Sequence, residues 1–381
     1  MKRILHISNW YPNKWDDLEG IFIKEQYAVF SKGTNSIMLN VQVRVADKLL
    51  SYEHVRYSDT EEGYYLFTSI KSQIIIEVLT TLLLLYALYK YKYKKYDVLH
   101  FHIAYPLLTY YSWWKKIIKV PVLISEHWSA YHFNFYMPWE TTKLDRMTGI
   151  FKQKIPLITV SNALLKDIQK FSKTDDFHST VIPNVIDQRT FFYEERGKTN
   201  EIPTFFAVNN WRKIKNPFPM LEGFTHLHEK ELDFRLIIGG YGEELDAMKV
   251  YVLNEGFSKK VTFLGKMNKQ EIAKKLRESD AYIFSSTYET FSVVCAQALC
   301  CGVPLIGPKL KAISEYTGSD SFLPLSDNTP EMWSKILQQF MNTREMYDSK
   351  MIAFKANTYL SNTAIAKQYK NILDKWFTIN A

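Results

Sequence analysis

Short, continuously apolar runs alternate with amphipathic stretches along the first half of the chain. The runs that predict β-strands are RILHIS, SIMLNV, DVLHFH, PVLISEH, PLITVS and TVIPN. They are apolar throughout rather than at every second position, which is typical of strands covered on both faces in a parallel sheet. Between them the pattern predicts helices, including one at 20–32 and one at 163–171. This alternation indicates an α/β layered domain.

The alternation restarts in the second half of the chain. There TFFAVNN, FRLIIGG, VTFLG, AYIFSS and VPLIG predict strands. The pattern predicts helices at 218–229, 243–254 and 269–279. The charged stretch at 188–202 carries no apolar period and predicts a linker. We therefore expect one α/β domain at 1–187, a second at 203–360 and a last helix at 361–381, with ligands in a cleft beyond the carboxyl ends of the strands.

The composition is that of a folded protein with a basic first half. Of 381 residues, 46% are hydrophobic and 23% are charged, which excludes a disordered chain or a disulfide scaffold. The net charge is +8, and residues 1–190 carry 24 Lys and Arg against 18 Asp and Glu. Such a half suits an anionic partner, although a general solubility bias gives the same count. The three cysteines of VVCAQALCCGVP have neither disulfide nor zinc spacing and predict core residues of a reduced, cytosolic protein.

Two segments of the first half, 78–96 and 128–139, are candidates for an anionic membrane surface. The apolar run VLTTLLLLYALY at 78–89 is shorter than the about 20 residues that span a bilayer. It continues into KYKYKKYD, so it predicts either a helix lying on an anionic membrane or a core helix with a solvated basic end. The aromatic stretch WSAYHFNFYMPW at 128–139 predicts either contact with an acceptor or membrane, or a lid packed on the core.

The strongest candidate for chemistry is the run SSTYETFSVVCAQALCCGVP at 285–304. A strand leads into a polar turn, and a helix is predicted to begin near Phe291. The free backbone N–H groups of Phe291, Ser292 and Val293 would make an anion site at that helix start. Glu289 stands just before it and would accept hydrogen bonds from sugar hydroxyls, unless it only caps the helix. Gln297 follows two turns into the helix.

This run resembles the signature of glycosyltransferase family 4, whose members are retaining enzymes of GT-B fold. The family pattern is E-x-F-G-x-x-x-x-E-A followed by G-x-P. The residues that match it are Glu289, Phe291, Ala298, Gly302 and Pro304. Ser292 replaces the usual Gly, and Gln297 replaces the second Glu. The resemblance implies that Glu289 contacts the donor sugar and that Gln297 meets the nucleotide ribose, whose hydroxyls an amide can still bond.

A cationic loop and two glycine-containing turns resemble further family motifs in the same order. AVNNWRKIKNP resembles V-G-R-L-x-x-x-K-G, so that Lys215 falls on the diphosphate-binding Lys and Asn210 on the usual Arg, with Arg212 as a substitute two residues on. Taken alone, such a loop is more often a solvated surface. LIIGGYGEEL resembles the I-x-G-x-G-P-E turn, FLGKM resembles the next loop near the base, and ISEY resembles I-x-E. The nucleotide contacts that these turns imply are Gly240, Tyr241, Gly265 and Lys266.

The family motifs of the first domain fall on a glycine and a histidine. Gly20 in LEGIFIKEQ matches the glycine loop before the first helix, although Gly also suits a helix start. His127 in LISEHWS matches the active-site His, and His102 is a second choice; a single His is more often structural. Glu126 is a base candidate that we expect to point away. VIPNVID at 181–187 resembles the P-N-G-V-D linker. The resemblance covers essentially the whole chain.

The resemblance implies a GT-B fold, with two Rossmann-like α/β domains facing each other across a cleft and the last helix crossing back to the first. The expected function is retaining transfer of a hexose-type sugar from a UDP- or GDP-type nucleotide-diphosphate sugar to a glycan or lipid-linked acceptor, in synthesis of a bacterial cell-surface polysaccharide. Glu289 would hold the sugar, His127 would contact it, and Arg212 with Lys215 would stabilise the departing diphosphate. The expected location is the cytoplasm, or the inner face of the plasma membrane as a peripheral protein.

No metal or other cofactor is expected, because the chain has no D-x-D and no His/Cys cluster with metal spacing. Nucleic acid is not an expected partner, because no recognisable nucleic-acid module is present. Two alternatives stay open. One is a GT-B sugar-nucleotide epimerase or hydrolase. The other is a non-catalytic nucleotide- or glycan-binding relative, motivated by Ser292, Gln297 and Asn210.

Overall fold

The computed structural model describes residues 1–47, 50–137, 142–195 and 200–377. The chain divides into two compact units. Unit 1 comprises Met1–Val185 and Thr363–Ala381, and unit 2 comprises Ile186–Asn362. The predicted linker lies at the start of unit 2, and its residues 196–199 are outside the described residues. So are the last two residues of the aromatic stretch, 138–139, and the end of the predicted last helix, 378–381.

In its described residues, unit 1 is built on an eight-stranded sheet. The strands are β1 (Arg3–Ser8), β2 (Asn35–Val45), β3 (Leu50–Arg56), β4 (Glu61–Thr68), β5 (Val98–His102), β6 (Val122–Glu126), β7 (Leu157–Thr159) and β8 (Ser179–Val181). Their order across the sheet is β3-β4-β2-β1-β5-β6-β7-β8, and only the edge pair β3–β4 is antiparallel. Strands β1, β5 and β6 are buried throughout or nearly so, as their apolar runs predict.

Helices cover both faces of this sheet. They are α1 (Ile21–Phe30), α2 (Gln73–Lys90), α3 (Tyr111–Trp114), α4 (Thr142–Phe151), α5 (Asn162–Ser172) and, from the end of the chain, α13 (Asn362–Trp376). The core on one face joins α1 to α13, through residues that include Phe30 and Tyr369. Their rings stack with centroids 3.9 Å apart. Lys2 Nζ donates to the carbonyl of Leu373 at 2.6 Å. The last helix is therefore part of unit 1.

Unit 2 is built on a six-stranded parallel sheet with the order β11-β10-β9-β12-β13-β14. Its strands are β9 (Thr204–Asn210), β10 (Arg235–Tyr241), β11 (Val261–Gly265), β12 (Ala281–Ile283), β13 (Leu305–Pro308) and β14 (Phe322–Leu325). Its helices are α6 (Pro217–Glu229), α7 (Leu245–Asn254), α8 (Lys269–Glu278), α9 (Val293–Cys300), α10 (Lys311–Ser314), α11 (Pro330–Thr343) and α12 (Ser349–Leu360). The expected α/β class, with two parallel-sheet units, is confirmed.

Three details differ from the sequence-based expectations. The hairpin β3–β4 was not predicted, because its strands are only partly buried and lack a continuous apolar run. Helix α2 begins at Gln73, so it is 18 residues long rather than the 12 of the apolar run. Among the described residues, α2 alone is long and apolar enough to cross a membrane, by length and composition only, a test that core helices of soluble proteins also pass. Third, α9 begins two residues later than predicted.

Candidate functional site

The loops after β9 and β12 meet in unit 2 at the point where the chain reverses its direction across the sheet. Strand β9 lies between β10 and β12 in the sheet. In the chain, β10 is the next strand after β9, and β12 is the third. Helices therefore leave these two neighbouring strands in opposite directions, which opens a crevice at their carboxyl ends. The loops are joined, because Thr287 N donates to Ile214 O at 3.0 Å and Ser285 Oγ donates to Lys215 O at 2.6 Å.

An ion pair between Lys215 and Glu289 stands at this crevice. Lys215 Nζ donates to Glu289 Oε1 at 2.6 Å, and Ser286 Oγ donates to the same oxygen at 2.7 Å. The two charged side chains are 20% and 14% exposed, so they are partly shielded from water yet open to a ligand. Within the described residues Glu289 Oε2 makes no hydrogen bond. The pair therefore offers one carboxylate oxygen and one ammonium group at the crevice.

Helix α9 starts beside this pair. Ser292 precedes it with φ 65°, a left-handed conformation that explains why glycine is usual at this position in the resembled family. Because the helix begins at Val293, Phe291 lies before it, and its N–H is not part of the helix start. The backbone N–H groups of Val293 and Val294 have no acceptor within the described residues. Such free N–H groups at the start of a helix, here together with the N–H of Ser292, can bind an anion.

Tyr316, from the ISEY stretch, holds the turn that precedes α9. Its hydroxyl donates to Phe291 O at 2.7 Å and to Ser292 O at 3.2 Å, and its ring lies 4.9 Å from that of Phe291. Gln297 is 6% exposed, and its side-chain amide makes no hydrogen bond within the described residues. The amide therefore has only a small exposed area through which to contact a ligand.

Arg212 is bound to the residue that replaces the family arginine. The amide of Asn210, with its oxygen turned toward Arg212, accepts from Nη2 at 2.9 Å and from Nε at 3.1 Å. The guanidinium is exposed. Asn210 stands where the family has an arginine, but the loop still carries a cation. Asn210 holds Arg212, which comes two residues later.

The glycine turn after β10 packs against the same loop. Gly240 has φ 106°, and a Cβ there would lie 1.8 Å from Asn209 O, so only glycine fits. Trp211 is buried and donates from its indole to Gly239 O at 2.8 Å. Tyr241 is 43% exposed, with Lys266 Nζ 5.9 Å from its ring centroid. Next to it, β11 ends at Gly265, which has φ 70° and open space around a Cβ.

In unit 1 the corresponding reversal lies between β1 and β5, and a cavity of about 350 Å³ lies beside it. Its polar and aromatic lining residues are Asn9, Trp10, Glu19, Gln42, Arg44 and Thr80. Arg44 Nη1 donates to Gln42 Oε1 at 2.9 Å and to Glu19 Oε2 at 3.4 Å. Asn9 Oδ1 is buried without a partner. Planar amide, carboxylate and guanidinium groups beside an indole suit a hydroxyl-rich ligand.

Gly20 follows Glu19, which lines this cavity, and close contacts require a glycine at this position. Its φ is 61°, and a Cβ would lie 2.4 Å from the carbonyl oxygen of Trp10. The glycine therefore lets the loop after β1 close onto the start of α1. The structure gives no open approach from Gly20 itself to a ligand.

His127 follows β6 and is held by Asn184. Its Nδ1 lies 3.1 Å from Asn184 Oδ1, whereas its Nε2 is buried without a partner. Burial lowers the pKa of His127 to about 3, and the hydrogen bond that His127 donates to Asn184 acts in the opposite direction. Glu126 points inward, as expected: it is fully buried and accepts from Tyr131 OH at 2.6 Å and from Ala104 N at 2.7 Å. Burial raises its pKa to about 7.

His102 belongs to a buried stack of histidines. His6, His100 and His102 are all fully buried, and one nitrogen from each lies within 4.8 Å of the others. His6 Nδ1 lies 3.0 Å from His102 Nε2. His100 uses both ring nitrogens, with Tyr369 OH and Ser125 Oγ each at 2.8 Å. Both ring nitrogens of His100 are engaged, so His100 would have to give up a hydrogen bond to bind a metal ion, whereas His6 Nε2 is buried without a partner among the described residues. His102 Nδ1, like His127 Nε2, is buried without a partner there, and the role of His102 as a second-choice contact stays a prediction.

The aromatic stretch after His127 is largely internal in its described part. Phe135 packs edge-on against Tyr131 and Trp128, and Tyr131 packs against Phe171. Tyr136, at 77%, is its strongly exposed large side chain. Residues 128–137 therefore pack partly on the core, as the lid alternative expects, and contact with an acceptor or membrane stays a prediction. Residues 138–139 lie outside the described residues.

Sequence reasoning missed Asn184, the lining of the cavity and the histidine stack. Asn184 lies within the quoted stretch VIPNVID, but its role depends on a contact between residues 57 positions apart. The spacing of His100 and His102 on one strand puts both on one face. Bringing His6 to them requires the register of β1 against β5.

Two profiles of known protein families match the chain. The one described as Glycosyltransferase Family 4 matches residues 53–189. The one described as Glycosyl transferases group 1 matches residues 188–355. The first match lies mainly in unit 1, and the second contains both loops of the crevice in unit 2.

Individual proteins are similar over part or all of the chain. The N-acetyl-alpha-D-glucosaminyl L-malate synthase of Bacillus anthracis is 26% identical over 231 residues, which is 58% of this chain and 58% of that protein. The matched region thus spans little more than half the length of that relative. The structure of sucrose-phosphate synthase from Thermosynechococcus elongatus covers 99% of both chains with a TM-score of 0.75 and 15% identity. HepE of Anabaena, solved with UDP and glucose, covers 98% of this chain and 100% of its own with a TM-score of 0.72 and 13% identity.

Proposed function

The chain belongs to glycosyltransferase family 4 and has the GT-B fold, and from this premise we propose that it moves a hexose-type sugar from a nucleotide-diphosphate sugar to a glycan or lipid-linked acceptor. The observation that carries the proposal is the ion pair of Lys215 and Glu289 at the crevice of unit 2, beside the open start of α9. HepE of Anabaena, of the same fold, was solved with UDP and glucose, which supports a donor of UDP type, with GDP type as the other candidate.

The donor diphosphate would lie between two kinds of positive group. The N–H groups of Ser292, Val293 and Val294 are aligned at the start of α9, where the helix dipole favours an anion. Lys215 and Arg212 supply full charges on the loop that faces it. Negative charge builds on the diphosphate as the glycosidic bond breaks, so preorganised positive groups lower the barrier. Without donor, Glu289 neutralises Lys215 in place of the phosphate.

Glu289 would hold the sugar rather than attack it. One carboxylate oxygen is engaged by Lys215 and Ser286, which suits hydrogen bonding of sugar hydroxyls by the other oxygen. In the proposed retaining reaction the acceptor oxygen bonds to the anomeric carbon on the side from which the diphosphate leaves. The acceptor proton passes to the departing diphosphate oxygen. His127 Nε2, which lacks a partner, would accept a hydrogen bond from a sugar hydroxyl.

The remaining donor contacts are proposed from the turns after β10 and β11. Gly240 and Tyr241 would flank the nucleotide, and Gly265 with Lys266 would lie near the base. Gln297 would bond the ribose hydroxyls through its unbonded amide. The acceptor would use the cavity of unit 1, whose lining of amides, charged groups and one indole supports a hydroxyl-rich ligand.

We propose that the reaction needs no metal ion, because two cationic side chains and a helix start already stand where the diphosphate would bind. Transfer measured with excess EDTA should match transfer with Mg²⁺. Loss of transfer in EDTA, restored by a divalent cation, would reject this part of the proposal.

The experiment that tests the donor site is a thermal-shift series with UDP, GDP, ADP and CMP. A ligand present at about 100 times its Kd adds about 2.7 kcal/mol to the free energy of unfolding. We expect one diphosphate to raise Tm clearly in the wild type, and the shift to disappear in Lys215→Met but persist in Lys213→Met, its exposed neighbour. No shift with any nucleotide would contradict the donor site.

Product analysis then separates the alternatives. Incubation with donor alone should release little free sugar and form no epimer, whereas an epimerase or hydrolase would turn over without acceptor. With acceptor, NMR of the product should show the anomeric configuration of the donor. Binding without turnover of any donor would favour a non-catalytic relative, the hypothesis that Ser292, Gln297 and Asn210 motivate.

A further inference from the structure

Helix α2 is apolar on its outer side as well as on the side that packs on the sheet. The large side chains on its outer side are apolar or aromatic: Ile74 (54% exposed), Ile75 (42%), Val78 (41%), Leu82 (54%), Tyr86 (41%) and Tyr89 (75%). We call these six residues the outer stripe. Their spacing of three and four residues keeps most of them on one face of the helix.

The inner side of the same helix buries polar groups together with the apolar side chains of Leu83, Leu84, Ala87 and Leu88. Glu77 is fully buried and accepts from Tyr105 OH at 2.8 Å and from Arg146 Nε at 3.1 Å. Thr80 and Thr81 are also buried. A helix at a water-exposed surface normally carries charged and polar residues on its outer side. The outer stripe therefore suits a medium less polar than water.

A second segment of unit 1 presents the same chemistry on the same face of the sheet. Trp113 is 53% exposed and Ile117 is 64% exposed, within the sequence WWKKIIK. The connections from β4 to β5 and from β5 to β6 run the same way across the sheet. Because such connections between parallel strands are right-handed, α2 and the segment 111–119 lie on one face.

Lysines surround the apolar side chains, and no acid accompanies them. Lys90, Lys92, Lys94 and Lys95 are exposed and form no ion pair within the described residues. Residues 71–96 contain one acidic residue, the buried Glu77, and residues 110–120 contain none. A second copy of this chain would bring one basic surface against another, which is unfavourable. A basic rim around an apolar centre instead complements an anionic lipid surface.

We propose that the outer stripe, with Trp113, Ile117 and the neighbouring lysines, docks unit 1 on the surface of a bilayer that contains anionic lipid. The helix would lie in the plane of the interface, with Tyr86, Tyr89 and Trp113 at headgroup level. It does not span the bilayer, because its inner side packs against β2 and β4 and holds Glu77 in an ion pair with Arg146.

Docking has a consequence for the acceptor, and this consequence rests on the proposed function. Ile76 and Thr80, on the inner side of α2, line the cavity of unit 1. The helix that would lie on lipid therefore also forms a wall of the proposed acceptor cavity. An acceptor sugar carried on a membrane lipid would reach this cavity from the surface on which the protein rests.

The test is flotation of the full chain with lipid vesicles, which needs no substrate or activity. We expect binding to phosphatidylcholine vesicles containing about 30% phosphatidylglycerol, weak binding to phosphatidylcholine alone, and loss of binding as salt rises to about 0.5 M. Ile75→Ser with Leu82→Ser, and separately Lys92→Gln with Lys94→Gln and Lys95→Gln, should each weaken binding about tenfold. The matched control is Val250→Ser with Leu253→Ser, on an equally exposed apolar pair of unit 2.

Three results would overturn the proposal. They are no binding to anionic vesicles, equal loss in the control variant, and an outer-stripe variant that changes a dimer to a monomer in analytical ultracentrifugation while vesicle binding persists. The last result would assign the face to a second copy of the chain. Thermal unfolding of each variant confirms that it folds. Nucleotide shifts in unit 2 are read separately, so failure of the donor site and failure of docking give different outcomes.

Discussion

Asn184 Oδ1 lies 3.1 Å from His127 Nδ1. A carbonyl oxygen can only accept, so the proton of this hydrogen bond belongs to His127 Nδ1. Because burial lowers the pKa of His127 to about 3, the ring is neutral near pH 7, and its Nε2 carries a lone pair. Asn184 is therefore a positioning residue: it makes Nε2 an acceptor, which suits a sugar hydroxyl.

Replacement of Asn184 should affect both folding and transfer. Asn184→Leu leaves the buried Nδ1–H of His127 without an acceptor, which should lower the free energy of unfolding by about 1–3 kcal/mol. It also frees the ring to protonate Nε2 instead, and kcat/KM should fall about tenfold. The measurements are urea unfolding and initial rates with donor and acceptor. If stability falls while kcat/KM is unchanged, His127 has a structural role only.

The ion pair of Lys215 and Glu289 predicts that replacing its two members has different effects on diphosphate affinity and on kcat. Lys215→Met should weaken binding of the nucleoside diphosphate by about 10- to 100-fold, because a charge-assisted contact to phosphate is lost. Glu289→Gln should change that affinity only a few-fold, because the carboxylate is assigned to the sugar, while kcat falls at least about 100-fold. Calorimetric titration with the diphosphate and steady-state kinetics separate the two effects. Equal loss of diphosphate affinity in both variants would contradict the assignment.

Ser292 stands in a left-handed conformation with φ 65°. Because that conformation costs a non-glycine residue about 1–2 kcal/mol, Ser292→Gly should raise the free energy of unfolding by about 1 kcal/mol. The control is Ser334→Gly in the middle of α11, which should lower it by about the same amount. Chemical unfolding of the ligand-free protein measures both. A destabilised Ser292→Gly would show that the hydroxyl contributes more than the strain costs.

The buried histidines predict that unit 1 weakens in acid. Burial lowers the pKa of His6 and of His127 to about 3, and it lowers those of His100 and His102. In the unfolded chain these groups take up protons near pH 6.5, so stability is full above that pH and falls between about 6.5 and 3. The slope approaches about 1.4 kcal/mol per pH unit for each histidine.

Glu126 acts in the opposite direction in part of this range. Burial raises its pKa to about 7 from 4.5, so its contribution is full below 4.5 and is lost as pH rises through 7. One glutamate offsets only one of the four histidines. Urea unfolding at several pH values should therefore show lower stability at pH 5 than at pH 7, and His6→Gln should reduce the slope by about one proton. A flat profile would mean that water reaches the stack.

The alternation of apolar runs and helical periods was enough to predict the α/β class, because parallel strands such as β1, β5 and β9 are buried at nearly every position and carry adjacent apolar residues. It could not predict β3–β4, whose residues are half-buried at a sheet edge. The start of α9 was predicted two residues early. Ser292 has a left-handed backbone conformation, so the helix cannot include it, although the sequence pattern there is still helical.

The residues of the crevice could be named from motif order, but their pairing could not. Asn210 reads as a lost arginine in the sequence, whereas its contact with Arg212 depends on the turn between them. Likewise the amino-acid sequence of α2 predicts an apolar helix, but it does not predict which side of the helix faces the sheet. That information comes from the packing of Glu77 against Arg146, 69 residues away in the chain.

The membership of α13 in unit 1 has a consequence for synthesis of the chain. Unit 1 is interrupted in sequence by all of unit 2, and Lys2 meets Leu373 across 371 residues. Translation runs from the first residue onward. Unit 2 is therefore complete while unit 1 still lacks α13, the helix that covers Phe30 and His100. Until translation passes α13, that apolar surface is open to the cytosol, and newly made chains depend on rapid completion or on a chaperone to shield it.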